Sequence, residues 1–325
     1  MDATVDGIGD WPVFGMTDDI RPALAQAAGQ GRPLALATLI AADGGSPRPP
    51  GAQMMITGDA LAGFFSGGCV EADVAAHARA ALEDLKPRRL VYGQGSPWPD
   101  IRLLCGARIE ILVEPLMPDD PALASLLALR AARQAAVWTS NGVTRRCEAS
   151  LSTSCVTAVE VAEDPFSLSL TLAPQKRMVV VGADPTALAI ARLAQDMGFE
   201  THLIRPRGPV SPPPGLEERY WRMDAAQALA LIGPDPWTFV AVATHDAEID
   251  ETALLAALPS AATYVGVLGA RRRLPERLGR LASLGVGAAD LARLKGPIGL
   301  DLGGKAPFEI AVAVMGEVTA HANGR

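Results

Sequence analysis

The chain has 325 residues, 49% of them apolar, which points to two domains with sizeable cores and away from a disordered protein. A formal net charge of -7 argues against a nucleic-acid partner, which would require a basic surface. No apolar run approaches the ~20 residues of a membrane helix, and the acidic start MDATVDGIGD lacks a secretory pattern, so the expectation is a cytoplasmic protein, without a membrane partner, whose thiols are reduced.

The first block, residues 1–118, is expected to be a mixed α/β domain. A helix is expected over residues 18–29, capped by Thr17 or Asp18. PLALATLIAA reads as a buried strand that ends at GGSPRPPG, a loop stiffened by Pro47, Pro49 and Pro50. AQMMIT and LAGFF read as strands. FSGGCVEADV then places Cys69 directly after Gly67 and Gly68 and directly before an amphipathic helix, with Val70, Val74, His77, Ala81 and Leu85 on one stripe. RLVYG and RIEILVEPL read as further strands. A connector follows over residues 119–175: a helix in PALASLLALRAARQAA, a hairpin in AVWTSNGVTRRCEA with a two-residue Asn-Gly turn, and strands in VTAVEV and LSLTL.

The last block, residues 176–325, alternates strands and helices. MVVVG, FETHLIRP, TFVAVAT and TYVGVLGA are nearly continuous apolar strands, the pattern of a parallel sheet covered on both faces. A Rossmann-like domain is therefore expected. Its first turn, GADPTA, departs from G-x-G-x-x-G/A: Gly182 and Ala187 fill the first and third places, but Asp184 stands where the second glycine lets a pyrophosphate approach. The acidic residue expected at the end of the second strand is replaced by Arg205, with Arg207 beside it. Two readings stay open there, a scaffold without ordinary NAD binding and a site for another phosphorylated ligand. GLDLGGKAPFEIAV places Gly303, Gly304 and Lys305 before a helix starting at Pro307, a second setting that suits an anion.

Cys69 is the most suggestive single residue. A helix N-terminus favours its thiolate by only ~0.3–1 kcal/mol, under one pKa unit, and Glu71 and Asp73 oppose it. A soft metal would change the balance by expelling the thiol proton. Cys105, in LLCGARIEILVEP, has a similar glycine neighbour, although free cysteines are usually small buried hydrophobes. Ser46 and Arg48 lie on the proline-stiffened loop, where a guanidinium could be held for a phosphate or carboxylate. No C-x-x-C, H-E-x-x-H, G-x-S-x-G or Walker A motif occurs.

Taken together, GGSPRPPGAQM, SGGCVEADV and CGARIEILVEP resemble the N-terminal domain of the XdhC/CoxI family, and YVGVLGARRR with PIGLDLGGKAPFEIAVAVMGEV is similar to its C-terminal Rossmann domain. The resemblance covers nearly the whole chain. It implies a chaperone, not an enzyme, that carries molybdenum cofactor (molybdopterin or a dinucleotide form) as cargo. Such a chaperone supports sulfuration by a cysteine desulfurase and delivers the cofactor to a xanthine dehydrogenase-like molybdenum hydroxylase. It makes Cys69 the expected molybdenum ligand and Cys105 a second recurring cysteine, and it suggests a homodimer. The expected cofactor-binding set is Cys69, Gly67, Gly68, Ser46, Arg48, Cys105, Gly182, Gly303, Gly304 and Lys305. Two other classes compete: an NAD(P)-dependent oxidoreductase using the Rossmann-like domain, and a sulfur carrier with persulfide on Cys69 itself.

Overall fold

Strict alternation decides the first sheet. In β1 (Leu34–Asp43), Ala35, Ala37 and Leu39 face one way while Leu34 and Leu36 face the other, and both sets are buried. The structure, a computed structural model, describes residues 12–16, 18–68, 70–96, 103, 106–216 and 219–325. It divides into two compact units, one of residues up to 152 together with 157–174 and one of residues 153–156 and 175–325.

In the first unit α1 (Arg21–Gly29) precedes β1, and β2 (Gln53–Ile56), β3 (Leu61–Ala62), α2 (Glu71–Asp84), β4 (Arg88–Tyr92) and β5 (Arg108–Leu116) follow. The strands form an antiparallel sheet in the order β3-β2-β1-β5-β4. Ala35, Ala37 and Leu39 pack with Val74, Ala78 and Ala81 of α2. On the opposite face Leu34 and Leu36 meet Leu24 of α1 and Leu123 and Leu126 of α3 (Pro121–Ala131). That second core also takes Trp138 and Leu170 from a four-stranded antiparallel sheet of order β7-β6-β9-β8. Its strands are β6 (Ala136–Ser140), β7 (Arg145–Ala149), β8 (Ala158–Glu163) and β9 (Phe166–Leu172). The segment read as a connector thus builds one wall of the first unit's core.

Several local expectations change. Helix α1 begins at Arg21 behind Ile20, with no side-chain cap; Asp19 instead accepts from the Arg21 backbone N–H at 3.1 Å and its Nε at 2.6 Å. Of the two expected caps, Asp18 faces Arg48 and Thr17 lies outside the described residues. Only Leu61–Ala62 of LAGFF pairs as a strand, because the chain turns at Gly63, whose φ is +83°. Leu85 is 57% exposed in a left-handed C-cap, so the buried stripe of α2 ends at Ala81, and half-buried His77 faces Asp73 at 3.6 Å. The β6–β7 hairpin closes through four residues, 141–144. The Asn141 side chain accepts from the Val143 and Thr144 amides, which mimics a backbone turn.

The second unit runs β10 (Arg177–Gly182), α4 (Pro185–Asp196), β11 (Glu200–Ile204), β12 (Tyr220–Trp221), α5 (Ala225–Ile232), β13 (Thr238–Ala243), α6 (Ala247–Ala257), β14 (Tyr264–Val267), α7 (Leu274–Ser283), α8 (Ala288–Leu291), β15 (Leu294–Lys295) and α9 (Pro307–Ala322). Its six parallel strands lie in the order β12-β11-β10-β13-β14-β15, the doubly wound arrangement. Helices α4 and α9 cover one face and α5, α6 and α7 the other, so β10 and β13 are buried throughout. At the N-terminal edge a polar chain is fully specified. The Trp221 indole N–H donates to His202 Nδ1 at 2.9 Å, so His202 Nε2 carries the proton and donates to Glu200, which also accepts from Arg177 at 2.8 Å. Burial, which outweighs the Glu200 carboxylate, holds His202 below its ordinary pKa and keeps it neutral. Among the described residues no helix is long and apolar enough to cross a membrane.

Candidate functional site

The Gly67-Gly68 turn is wrapped around a carboxylate from its own chain. Glu71, buried in the first turn of α2, folds back beneath it. Its Oε1 accepts from the Phe65 amide at 2.9 Å and the Ser66 amide at 2.6 Å. Its Oε2 accepts from the Ser66 hydroxyl at 2.8 Å, the Gly68 amide at 2.9 Å and the Val70 amide at 3.2 Å. Gly67 and Gly68 adopt φ of +80° and +115°, which lets the backbone curl inward. Burial alone would raise the Glu71 carboxyl, but the bonds from Ser66 and Phe65 together outweigh it and hold the group below the usual range, so it is charged at neutral pH. Position 69 lies outside the described residues, but the residues on both sides of it are tied to one buried anion.

The proline-rich loop of the first motif lies beside the segment leading into this turn, and the third motif lies against the start of that proline-rich loop. The Arg48 guanidinium stacks 4.9 Å from the Phe64 ring centroid, immediately before Phe65, and pairs with Asp18 at 2.6 Å. Ser46 Oγ donates to the Arg48 carbonyl at 2.8 Å and shapes the proline-rich loop. That loop's start lies against the third motif: a Cβ built on Gly44 would sit 3.4 Å from the Gly106 carbonyl oxygen. Cys105, the neighbour of Gly106, is outside the described residues. The Arg48 guanidinium is thus positioned by a ring and a carboxylate. Its Nε is buried without a hydrogen-bond partner among the described residues.

The same filling recurs in the second unit. Asp184 caps α4, its Oδ1 accepting from the Ala187 amide at 2.8 Å and its Oδ2 facing His245 Nε2 at 3.0 Å. Pro185 at the first helical position has no N–H to offer. The turn that would hold a pyrophosphate therefore has its anion already. Gly182 serves close packing, since a Cβ there would come within 2.5 Å of Ala187 Cβ. At α9 the Glu309 Oε2 accepts from the Lys305 amide at 2.9 Å and the Ala306 amide at 3.0 Å, and these bonds hold its carboxyl below the usual range. Gly303 turns the chain at φ +76°, and a Cβ on Gly304 would lie 2.5 Å from Glu309 Cβ.

Glu71, Asp184 and Glu309 were therefore the residues to weigh beside the glycines. The signal is an acid at or shortly after each glycine turn, at the start of a helix. Burial disfavours the thiolate at the other two cysteines. Burial pushes the Cys147 thiol up to about 11, with Glu148 adding to it, and burial also raises Cys155. Among the described residues no group of three or more His, Cys, Asp or Glu is placed to hold a metal ion.

Residues 178–318 match the XdhC Rossmann domain, and residues 27–93 match the XdhC and CoxI family, together more than half of the chain. The chain belongs to the XdhC/CoxI family. Among its relatives is the molybdenum cofactor insertion chaperone PaoD of Escherichia coli, 29% identical over 309 residues that span 94% of this chain and 89% of PaoD. The uncharacterized protein YqeB of Escherichia coli is 26% identical over 295 residues, 89% of this chain but 43% of YqeB. A Bacillus subtilis protein described as one of the probable xanthine dehydrogenase subunits is 29% identical over 148 residues, 45% of this chain and 42% of that protein. The crystal structure of a protein described as a xanthine dehydrogenase from Bacillus halodurans has the same fold, with a TM-score of 0.73 at 24% identity over 94% of this chain and 96% of that one.

Proposed function

We propose that this XdhC/CoxI-family chain is a chaperone for molybdenum cofactor. It takes the cofactor as cargo, supports its sulfuration by a cysteine desulfurase and delivers it to a xanthine dehydrogenase-like molybdoenzyme. The observation that carries the reading is the likeness to PaoD, which runs through 94% of the chain. The site chemistry supports it. A thiolate at Cys69 is a soft ligand suited to a dithiolene-bound metal, and a single such ligand can let go of its cargo. Glu71 pre-orders the residues flanking Cys69, so metal binding need not also order the loop. Gly67 and Gly68 give the cargo room to approach, while their turn's hydrogen bonds go to Glu71.

In this reading Ser46, Arg48 and Cys105 border the Cys69 site. Gly182, Gly303, Gly304 and Lys305 belong to the second unit's ligand surface, where Lys305 offers its ammonium, not its amide. The cargo is molybdopterin itself or a dinucleotide form, and the working assembly is a homodimer. The oxidoreductase alternative loses ground because Asp184 and Pro185 occupy the place of a bound pyrophosphate. The test is Cys69→Ala, purified without oxygen from cells that make the cofactor. Molybdenum and pterin that co-purify with the wild-type chain are expected to be lost, and unchanged contents of both would remove Cys69 from the role. Persulfide found on Cys69 by mass spectrometry, with no bound pterin, would replace this reading with the sulfur carrier.

A further inference from the structure

The second unit contains a divided cleft at the C-terminal ends of its strands, where the strand order reverses between β10 and β13. Ligands of doubly wound sheets bind at this switch point. The larger part, about 410 Å³, is lined by Asp184, Arg207, Thr244, His245 and Asp246. The smaller, about 140 Å³, is lined by Leu188, Leu203, Ser211, Pro213 and Tyr220. Both open onto Gly182, Ala183 and Arg205.

The two parts differ in charge. The larger holds two carboxylates. Asp184 Oδ2 faces His245, and Asp246 accepts from the Glu248 and Ile249 amides through Oδ1 while Arg207 stands 3.4 Å from Oδ2. Each retains lone pairs for a donor from a ligand. The smaller part has no acidic residue among its lining. Arg205, between them, has no ion pair or side-chain hydrogen bond among the described residues, in contrast to Arg207. It is nonetheless held in place: its stem lies over Gly208, where a Cβ would come 2.7 Å from Arg205 Cδ. The Arg222 Nε donates to the Gly208 carbonyl at 2.7 Å, and the Tyr220 hydroxyl donates to the Pro209 carbonyl at 2.9 Å.

We propose that this cleft binds a phosphomonoester of a heterocycle bearing an amino edge, with the phosphate on Arg205 in the smaller part and the ring's donor edge toward Asp184 and Asp246 in the larger. A phosphate placed in the larger part would meet two carboxylates, and a pyrophosphate laid across the β10–α4 turn would meet the Asp184 cap. A monophosphate beside Arg205 avoids both. Guanine and the pterin ring share this donor edge, so a nucleoside monophosphate and a phosphorylated pterin are two sources of one chemistry. The site stands whether or not Cys69 holds metal.

The test is calorimetric titration of the full-length chain with GMP, IMP, guanosine, NAD⁺ and inorganic phosphate, followed by GMP titration of Arg205→Ala and Arg205→Lys. GMP is expected to bind about tenfold or more tightly than guanosine, as a charge-assisted phosphate contact supplies, and more tightly than IMP, which lacks the 2-amino group. NAD⁺ and inorganic phosphate are expected to bind more weakly than GMP. Arg205→Ala removes the advantage over guanosine and Arg205→Lys restores part of it. Equal affinity for GMP and guanosine, GMP binding unchanged in Arg205→Ala, or NAD⁺ binding as tight as GMP overturns the proposal. GMP no tighter than IMP or inorganic phosphate overturns its ring-recognition part. Competition of the pterin released from purified cofactor against GMP identifies the pterin as the source, and no competition identifies a nucleotide. Cys69→Ala is expected to leave GMP binding intact, which separates this site from the metal site.

Discussion

Replacing Glu71 by Gln is the sharpest perturbation of the Cys69 loop, because it keeps the shape and changes only one oxygen and the charge. In the native loop both oxygens are full: Oε1 takes two amides, and Oε2 takes two amides and a hydroxyl. Whichever way a Gln amide turns, its NH₂ group opposes two backbone donors. One orientation loses Phe65 and Ser66, the other Gly68 and Val70, although Val70 keeps a bond to Ser66 Oγ at 3.1 Å. Phe65 is fully buried, so its amide finds no water in exchange. Losing two charge-assisted bonds, with one buried donor stranded, costs about 2–4 kcal/mol. At 1.4 kcal/mol per factor of ten, amide-exchange protection at residues 65–70 falls by about 30- to 1000-fold. Hydrogen exchange read residue by residue is the suitable assay, since a two-unit chain has no single unfolding free energy. Glu71→Ala should lose slightly more, about 3–5 kcal/mol, because every bond goes. If Glu71→Gln keeps wild-type protection at Phe65 and Gly68 within about twofold, the carboxylate does not organise the loop and the reasoning fails.

The same hydrogen bonds and close contacts set three further outcomes. The Glu71 carboxyl is depressed in the folded state, so its stabilisation is complete above the ordinary glutamate value of about 4.3 and fades as pH falls through the lower folded value; exchange at residues 65–70 should rise there and stay flat near neutrality. His202 is also depressed but is a base, so the second unit's stability is complete above about pH 6.5 and declines as pH falls toward the folded value. Its neutral Nε2–H tautomer should persist in nitrogen NMR below pH 6.5, and an imidazolium signal there would contradict the Trp221 hydrogen bond. Gly304→Ala should lower the melting temperature of the second unit, with a cost of about 1–3 kcal/mol from overpacking against Glu309; no shift would show that Glu309 yields freely.

The second unit was the more legible in the sequence. Its strands are buried on both faces and read as continuous apolar runs, so MVVVG and TFVAVAT announce a parallel sheet without help from tertiary contacts. What escaped were short elements carried by neighbours: β12 and β15 are two residues each, and α5 is eight residues behind an Asp224 cap. In the first unit RIEILVEPL reads with its right bounds, while the start of α1 does not, because Asp19 bonds to Arg21 and leaves Ile20 at the cap position. At the candidate site the motifs were visible and the direction of their hydrogen bonds was not. Glycine before a helix reads as an open anion cradle, and nothing in the local pattern tells whether the next acid folds back into it.

That distinction changes what the glycines mean. At the starts of α2, α4 and α9, each behind a glycine-containing turn, a carboxylate of the chain itself accepts from the backbone amides there: Glu71, Asp184 and Glu309. An external phosphate at any of them would have to displace a side chain already tethered there, against the effective concentration of an intramolecular ligand, of order millimolar or higher. Anionic parts of a ligand should therefore be held by side-chain cations instead of backbone cradles. Arg48 is committed to Asp18 and Arg207 faces Asp246, whereas Arg205 borders a cleft without a counter-ion among the described residues. The glycines then serve to let carboxylates curl in and fix the turns that open α2, α4 and α9.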